Sequence, residues 1–251
     1  MYIECQPNML LAPYIEVYWT SDRYATNKEV MRTLPDGCVD IMFSFGNTPS
    51  QNSMKQYCPY IIGTNTSFSE LFFEGKVTML GIRFKPGGIT AFTRIPVYDL
   101  TDRHEDLTLV ETIFDERFYG CLPECKTLQD KIKHIDCYLT GRLSSSYIPP
   151  KEILYAVQLI EQTRGILPLS EILKSIYLCQ RHFDRKFKCA IGLSPKAFSK
   201  IIRFKNTLNF IQNNPTDSLF SVALDCGYFD HAHLTREFKV LSGFLPTHFR
   251  I

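Results

Sequence analysis

The stretch HFDRKFKCAIGLSPKAF at residues 182–198 returns 51 positions later as HLTREFKVLSGFLPTHF at residues 233–249. His182, Arg185, Phe187, Lys188, Gly192, Pro195 and Phe198 fall on His233, Arg236, Phe238, Lys239, Gly243, Pro246 and Phe249 without a gap, seven identities in seventeen positions. A solenoid would need at least three such copies to bury a continuous core, so this is one supersecondary unit used twice. Whatever the chain folds into must place two copies of one short helical motif.

In each copy the repeated helix has two faces. Arg181, Asp184, Arg185 and Lys188 lie at i, i+3, i+4 and i+7, away from Phe183 and Phe187; Ala232, Thr235, Arg236 and Lys239 do the same opposite Leu234 and Phe238. One face builds a core, and the other offers side chains that reach bases or phosphates. A short helix, a tight turn and then this helix is the helix-turn-helix plan, whose second helix lies in the major groove with its N-terminal residues at base edges. Pro195 is placed to open a connecting helix, with Phe198, Ile201, Ile202, Lys205, Leu208 and Ile211 on its apolar face as far as Asn213-Asn214-Pro215. Spanning residues 196–212, it would be about 25 Å long at 1.5 Å per residue. With its end connections it can hold two units roughly 34 Å apart, one turn of B-DNA. One chain then supplies the two readers that a symmetric dimer normally supplies.

The rest of the chain must be something else. A formal charge of +2 conceals a split: residues 150–251 carry 14 Lys+Arg against 8 Asp+Glu, net +6, and residues 1–149 carry 14 against 18, net −4. A basic half beside an acidic half suggests a polyanion-binding module joined to a different domain. At 251 residues and 45% apolar composition, the chain holds one large or two ordinary domains. No apolar run approaches the roughly eighteen residues of a membrane span, and MYIECQPNMLLAPYIEVYW has no basic n-region, so the chain reads as cytoplasmic and without membrane contact. The nine cysteines are odd in number and scattered, which argues against a disulfide framework, and Cys121 and Cys125 form a lone CxxxC too weak to imply zinc. No nucleophile motif, phosphate loop, metal cluster or cofactor signature is present, so no catalysis is expected.

The first 120 residues read as β-rich. After a Pro-Asp-Gly turn, Val39, Ile41, Phe43 and Phe45 alternate with Asp40, Met42 and Ser44, giving a half-buried strand that ends at Gly46-Asn47. A second strand puts Val77, Met79 and Gly81 on one face and Leu80, Ile82 and Phe84 on the other before Pro86-Gly87-Gly88. Such short strands separated by turns suggest a small sandwich or barrel. Over residues 126–143, Leu128, Ile132, Ile135, Leu139 and Leu143 make a narrow apolar stripe on a polar helix. The stripe is either a surface docked on the barrel or a seam for pairing with a second copy. Ser144-Ser145-Ser146 and Pro149-Pro150 mark a linker, and a helix over 217–225 leads into the second copy. The expected class is α+β: a β-rich sensor or oligomerisation domain at 1–120, a helical connector at 121–148, and an all-α DNA-binding domain with two helix-turn-helix units at 149–251.

At this point the residues resemble a known family. DSLFSVALDCGYFDHAHLTREFKVLSGFLPTHFR is similar to the signature of AraC-type transcription regulators, through Ala223, Gly227-Tyr228, Arg236-x-Phe238-Lys239, Gly243 and Pro246. RTLPDGCVDIMFSFG and GIRFKPGG resemble, more loosely, sensor domains found in front of that module. The resemblance implies a β-rich sensor, a helical segment that often mediates dimerisation, and a DNA-binding domain with two helix-turn-helix units. The first unit departs from the family pattern: Leu173 stands where a small Ala is usual, Tyr177 where the turn usually has Gly, and Cys179 where a Ser usually caps the recognition helix.

The candidate DNA-contacting residues are Gln180, Arg181, Asp184, Arg185 and Lys188 in the first unit, and His231, Ala232, Thr235, Arg236 and Lys239 in the second. Arg185 and Arg236 lead, because Arg can hold guanine O6 and N7 bidentately or bind phosphate. Asp184 can accept from cytosine N4 or orient a neighbouring Arg. His182 and His233 recur at one repeat position and read best as helix supports or phosphate contacts. Arg83, on an otherwise apolar strand, is either the anchor of an anionic small-molecule effector or an exposed strand charge. Cys179, at a helix N-terminus beside Arg181 and Arg185, has the setting of a reactive thiol and hence of a redox switch. The partners expected are double-stranded DNA, RNA polymerase, an effector, and a second copy through residues 126–143. The alternative to an effector-modulated activator is a constitutive DNA binder whose N-terminal half only dimerises.

Overall fold

The alternation around Val39 produces a strand, but one with two dry faces. In the computed structural model, which describes residues 1–45, 55–109, 113–143 and 150–250, β3 (Val39–Ser44) is buried at all six positions, where the sequence predicts a half-buried strand. The reason is its place in a single six-stranded antiparallel sheet. With β1 (Tyr2–Cys5), β2 (Ile15–Thr33), β4 (Pro59–Ile62), β5 (Ser69–Phe84) and β6 (His104–Asp106), the order is β1-β2-β5-β3-β4-β6. Val39, Ile41 and Phe43 face one apolar cluster with Leu80, Ile82 and Phe84; Met42 faces another with Trp19, Val77 and Met79. In the register, Gly81 stands between Trp19 and Met42, and a Cβ on it would lie 2.0 Å from the indole. Glycine there lets Trp19 lie across the sheet. The turn at Gly46-Asn47 and most of the linker, from Ser144 to Pro149, fall outside the described residues.

Two helices cover the first face. They are α1 (Glu116–Cys121) and α2 (Leu128–Arg142), the latter opened by a capping box between Thr127 and Asp130. Ile132, Ile135 and Leu139 are buried in the same cluster as Ile41 and Phe43. Asn8 and Tyr18 donate to Asp136 on α2, the Tyr18 hydroxyl at 2.9 Å from Oδ1. The apolar stripe is therefore a docking surface within the chain. The expected pairing seam at 126–143 is corrected on this point: burial of the stripe against the chain's own sheet leaves it covered.

A second core is wholly helical. It is built by α3 (Lys151–Gln162), α4 (Leu169–Lys174), α5 (Gln180–Ile191), α6 (Pro195–Asn213), α7 (Leu219–Asp225) and α8 (His231–Ser242), and includes Phe183, Phe187, Phe198, Phe204 and Phe238. Burying each phenyl ring is worth about 2–3 kcal/mol. The repeat offset of 51 holds at both ends of α5 and α8. Each of the two helices stops at a left-handed glycine, Gly192 at φ 88° and Gly243 at φ 76°, the C-terminal device that L side chains resist. Among the described residues no helix is long and apolar enough to cross a membrane.

The two cores meet through the turn that precedes β3. Leu34 packs onto the helical core, and Gly37, at φ +81°, sits so close to α6 that a Cβ would be 2.6 Å from the Phe198 ring. What the sequence presents as a strand-opening turn is also a wedge between domains. Gly37→Ala adds a strained backbone and a close contact, and is expected to destabilise the chain by about 1–3 kcal/mol. Denaturant unfolding checks this, and an unchanged midpoint removes the wedge.

Candidate nucleic-acid interface

Helix α8 is held from behind by charge as well as by packing. Glu237, 4% exposed, faces away from solvent and accepts from Arg203 of α6, whose Nη2 lies 3.1 Å from Oε1 and 2.9 Å from Oε2 and whose Nε lies 3.4 Å from Oε1. The Arg203 guanidinium lies 4.6 Å from the centre of the Tyr228 ring, and His233 meets the same ring edge-on. His233 Nδ1 accepts from the Phe229 backbone N–H at 3.4 Å, and its Nε2 lies 3.7 Å from Glu237. His233 thus supports the helix.

The turn of this second unit is firmly built. Gly227 takes φ +76°, the Tyr228 N–H donates to the Ala223 carbonyl at 2.8 Å, and the Asp230 carboxylate caps α8 by accepting from the His233 N–H at 2.7 Å. The first unit follows the same path with weaker devices. Its turn closes through Ser175 N–H to Ile172 and Ile176 N–H to Leu173 without a left-handed residue, and Cys179 makes no side-chain cap. Ile172 is the fully buried residue of α4, and Leu173, which the family comparison singled out, is only half-buried against the core. Tyr177 stands wholly exposed on the turn.

The outward faces carry the predicted residues. Gln180, Arg181, Arg185 and Lys188 on α5, and His231, Ala232, Arg236 and Lys239 on α8, are exposed, while Asp184 and Thr235 are half-buried. Among the described residues no ion pair engages Arg181, Arg185 or Arg236. Thr235 Oγ1 donates to the His231 carbonyl of its own helix, and Asp184 Oδ1 is buried with no hydrogen-bond partner. Lys188 differs from the others, since its ammonium sits 5.8 Å from the centre of the Tyr98 ring in the N-terminal domain.

Two helix-turn-helix units, each with an arginine at one repeat position that has no ion pair among the described residues, suit a DNA reader, and one of two matched families agrees. Residues 174–251 match a family described as a helix-turn-helix domain, and residues 3–106 match one described as a domain of unknown function (DUF6597). The C-terminal part of the chain is a helix-turn-helix domain of the AraC type. Among solved structures it is similar to ToxT from Vibrio cholerae at 8% identity and a TM-score of 0.50, covering 92% of this chain and 97% of that one. ToxT bound to (E)-4-(8-methylnaphthalen-1-yl)but-3-enoic acid gives a TM-score of 0.49, at 8% identity over 92% and 97% of the two chains. ToxT bound to an unsaturated fatty acid gives 0.47, at 8% identity over 98% and 96%. At such identity the first likeness concerns the fold alone. No curated protein matches in sequence.

The regulator's N-terminal domain meets α6 across a cavity of about 670 Å³, lined by Tyr2, Trp19, Met31 and Leu34 from one side and Phe204, Lys205 and Leu208 from the other. Arg83 lies at its wall, with Nη2 3.2 Å from Asp40 and Nη1 3.5 Å from Asp36. Burial pushes the Asp40 carboxyl up, and Arg83 together with the Trp19 indole N–H, 3.3 Å away, pulls it back. The charge read from sequence as an effector anchor or an exposed strand charge is half-buried and flanked by two carboxylates. Arg23, Arg32 and Lys205, which sequence reasoning did not single out, also line the space; their signal was hidden because they are far apart in the chain.

Arg203→Ala removes the hydrogen-bonded partner of the buried Glu237 and leaves it only the longer contacts to Lys200 at 3.9 Å and His233 at 3.7 Å, at an expected cost of about 1–3 kcal/mol, with Arg203→Lys recovering part. Thermal unfolding of both variants checks this, and equal midpoints for Ala and wild type overturn the assignment.

Proposed function

We propose that α5 and α8 enter two successive major grooves on one face of the duplex, with Arg185 and Arg236 at base edges or phosphates and Gln180, Arg181, His231, Ala232 and Thr235 beside them. The observation that carries this is the recurrence of an exposed arginine, free of ion pairs, at one repeat position of two units whose opposite faces share a core. Lys239 faces phosphate, and Lys188 joins it when released from Tyr98. The second unit supplies more of the specificity, because its turn and cap are preformed.

The N-terminal domain modulates this reading through the cavity against α6. Its volume falls in the range of small-molecule sites. A mostly apolar molecule with one anionic group fits, its body against Trp19, Met31 and Leu208 and its charge toward Lys205, which has no ion pair among the described residues. Arg83, already flanked by Asp36 and Asp40, shapes the wall. RNA polymerase is the partner through which bound regulator would act. Pairing of two copies would use a surface other than the buried stripe of α2.

Selection of bound duplexes from a random library by the full-length chain is expected to yield two elements about one helical turn apart. In Arg236→Ala the element read by α8 should lose definition, with specific affinity falling by about 1–3 kcal/mol. Recovery of DNA with no motif, and binding that only falls with salt, would reduce the chain to a phosphate binder. For the cavity, a panel of aliphatic and aromatic carboxylates is expected to raise the thermal midpoint of the wild type and not of Lys205→Gln.

A further inference from the structure

Both recognition helices end against the N-terminal domain, and they do so within one position of each other in the repeat. Beyond α5, the Gly192 carbonyl accepts from Thr101 Oγ1 at 2.9 Å, and Thr64 Oγ1 lies 3.3 Å from that hydroxyl. On the last residue of α8, one repeat position earlier, the Ser242 carbonyl accepts from Arg32 Nη1 at 3.0 Å. Arg32 is itself stacked between Phe68, at 4.3 Å, and Phe244, at 4.1 Å, and paired with Glu70. The two glycines make this approach possible. A Cβ on Gly192 would stand 2.4 Å from Thr64 Oγ1, and one on Gly243 would stand 2.7 Å from Arg32 Nη1 and 2.8 Å from the Phe68 ring. Gly192 and Gly243 therefore serve twice, as left-handed helix stops and as the points where another domain touches the helix ends.

A hydrogen bond donor, cationic in the case of Arg32, at the carbonyl end of a helix is electrostatically favoured, because the last carbonyls are unpaired and carry the negative end of the helix dipole. The guanidinium between two rings adds stacking that holds its direction. Without these contacts the two units would be joined by α6 and the helical core around it, including Ile166 against the turn at Gly227, with no support from the sheet. With them, each unit is also fixed at its rear to one rigid sheet domain, so that rotation of one unit about α6 breaks a contact.

We propose that Arg32 and Thr101 are positioning residues that fix the relative orientation of α5 and α8, and thereby set the spacing between the two DNA elements that the chain accepts. This rests on the reading of α5 and α8 as the two DNA readers. On B-DNA each added base pair turns one element by roughly 35° relative to the other, since a turn takes 10–10.5 base pairs. A reader pair held in one orientation discriminates sharply against such a change, and a loosened pair does not.

The test uses the full-length chain and duplexes carrying the two selected elements at the selected spacing and with one or two base pairs added or removed. The wild type should lose affinity steeply off the selected spacing. In Arg32→Met combined with Thr101→Val, that spacing penalty should shrink by about five- to tenfold, the worth of one or two net hydrogen bonds with a stacked pair. Arg32→Lys, which keeps the charge and the stacking stem, should restore part of it. Thr101→Val alone is isosteric and carries the test for α5 if the double variant does not fold. A loss of affinity equal at all spacings, or a penalty unchanged in the variants, overturns the clamp while leaving the two-reader assignment standing. A wild type that selects one element with no spacing preference overturns both.

Discussion

The structure depends on α6, against which both recognition helices bury their apolar faces in one core. Phe198 near its start meets Phe187 of α5 edge-to-face at 5.7 Å, and Phe204 further along meets Phe238 of α8 at 4.8 Å. Each such pair adds about 0.5–1.5 kcal/mol to the burial of its rings. Neither recognition helix could bury its apolar face alone, because 12 residues with one wet side make a marginal helix. One long helix solves this for both at once. It also fixes their separation along the chain, since a helix of this kind cannot be stretched.

That architecture was legible because repetition is visible in residue types. The offset of 51 between the sequence copies is the offset between α5 and α8 along the chain, at both of their ends. The outward faces followed from helical periodicity. What stayed hidden needed pairing across distance. Arg203 with Glu237, Arg32 with Ser242, and Leu34 against the helical core join residues 34, 210 and more than 100 positions apart, and nothing local distinguishes them from surface charge or a turn leucine. The dry second face of β3 was hidden for the same reason. Asp40 looks like a solvent-facing position until Trp19 and Arg83 are known to stand beside it. The stripe on α2 could be read as a surface, but only the fold shows what covers it.

The two units are unequal in a way that suits their places. The second has its αL turn, its carboxylate cap and a buried ion pair to α6, so its recognition helix is ordered before DNA arrives. The first lacks the αL turn and the cap. It is the unit whose Lys188 lies over Tyr98 and whose end is tied to Thr101. A unit with weaker internal devices takes more of its position from whatever it packs against, here the N-terminal domain. The more firmly built unit needs only a rear contact to be aimed.

This division gives the wedge at Leu34–Gly37 its consequence. The same turn places Leu34 in the helical core, Asp36 on Arg83 and Gly37 under Phe198. Leu34 and Asp36 also line the cavity against α6, so anything that fills that space touches the joint through which the sheet supports the connecting helix. Close-packed interfaces respond to such filling by shifting between discrete arrangements rather than by deforming smoothly. A ligand can move that equilibrium only by its difference in affinity for the two arrangements. The contacts at Ser242 and Gly192 come from the same sheet domain that lines the cavity, so a shift of α6 relative to the sheet would alter the cavity and both helix ends together.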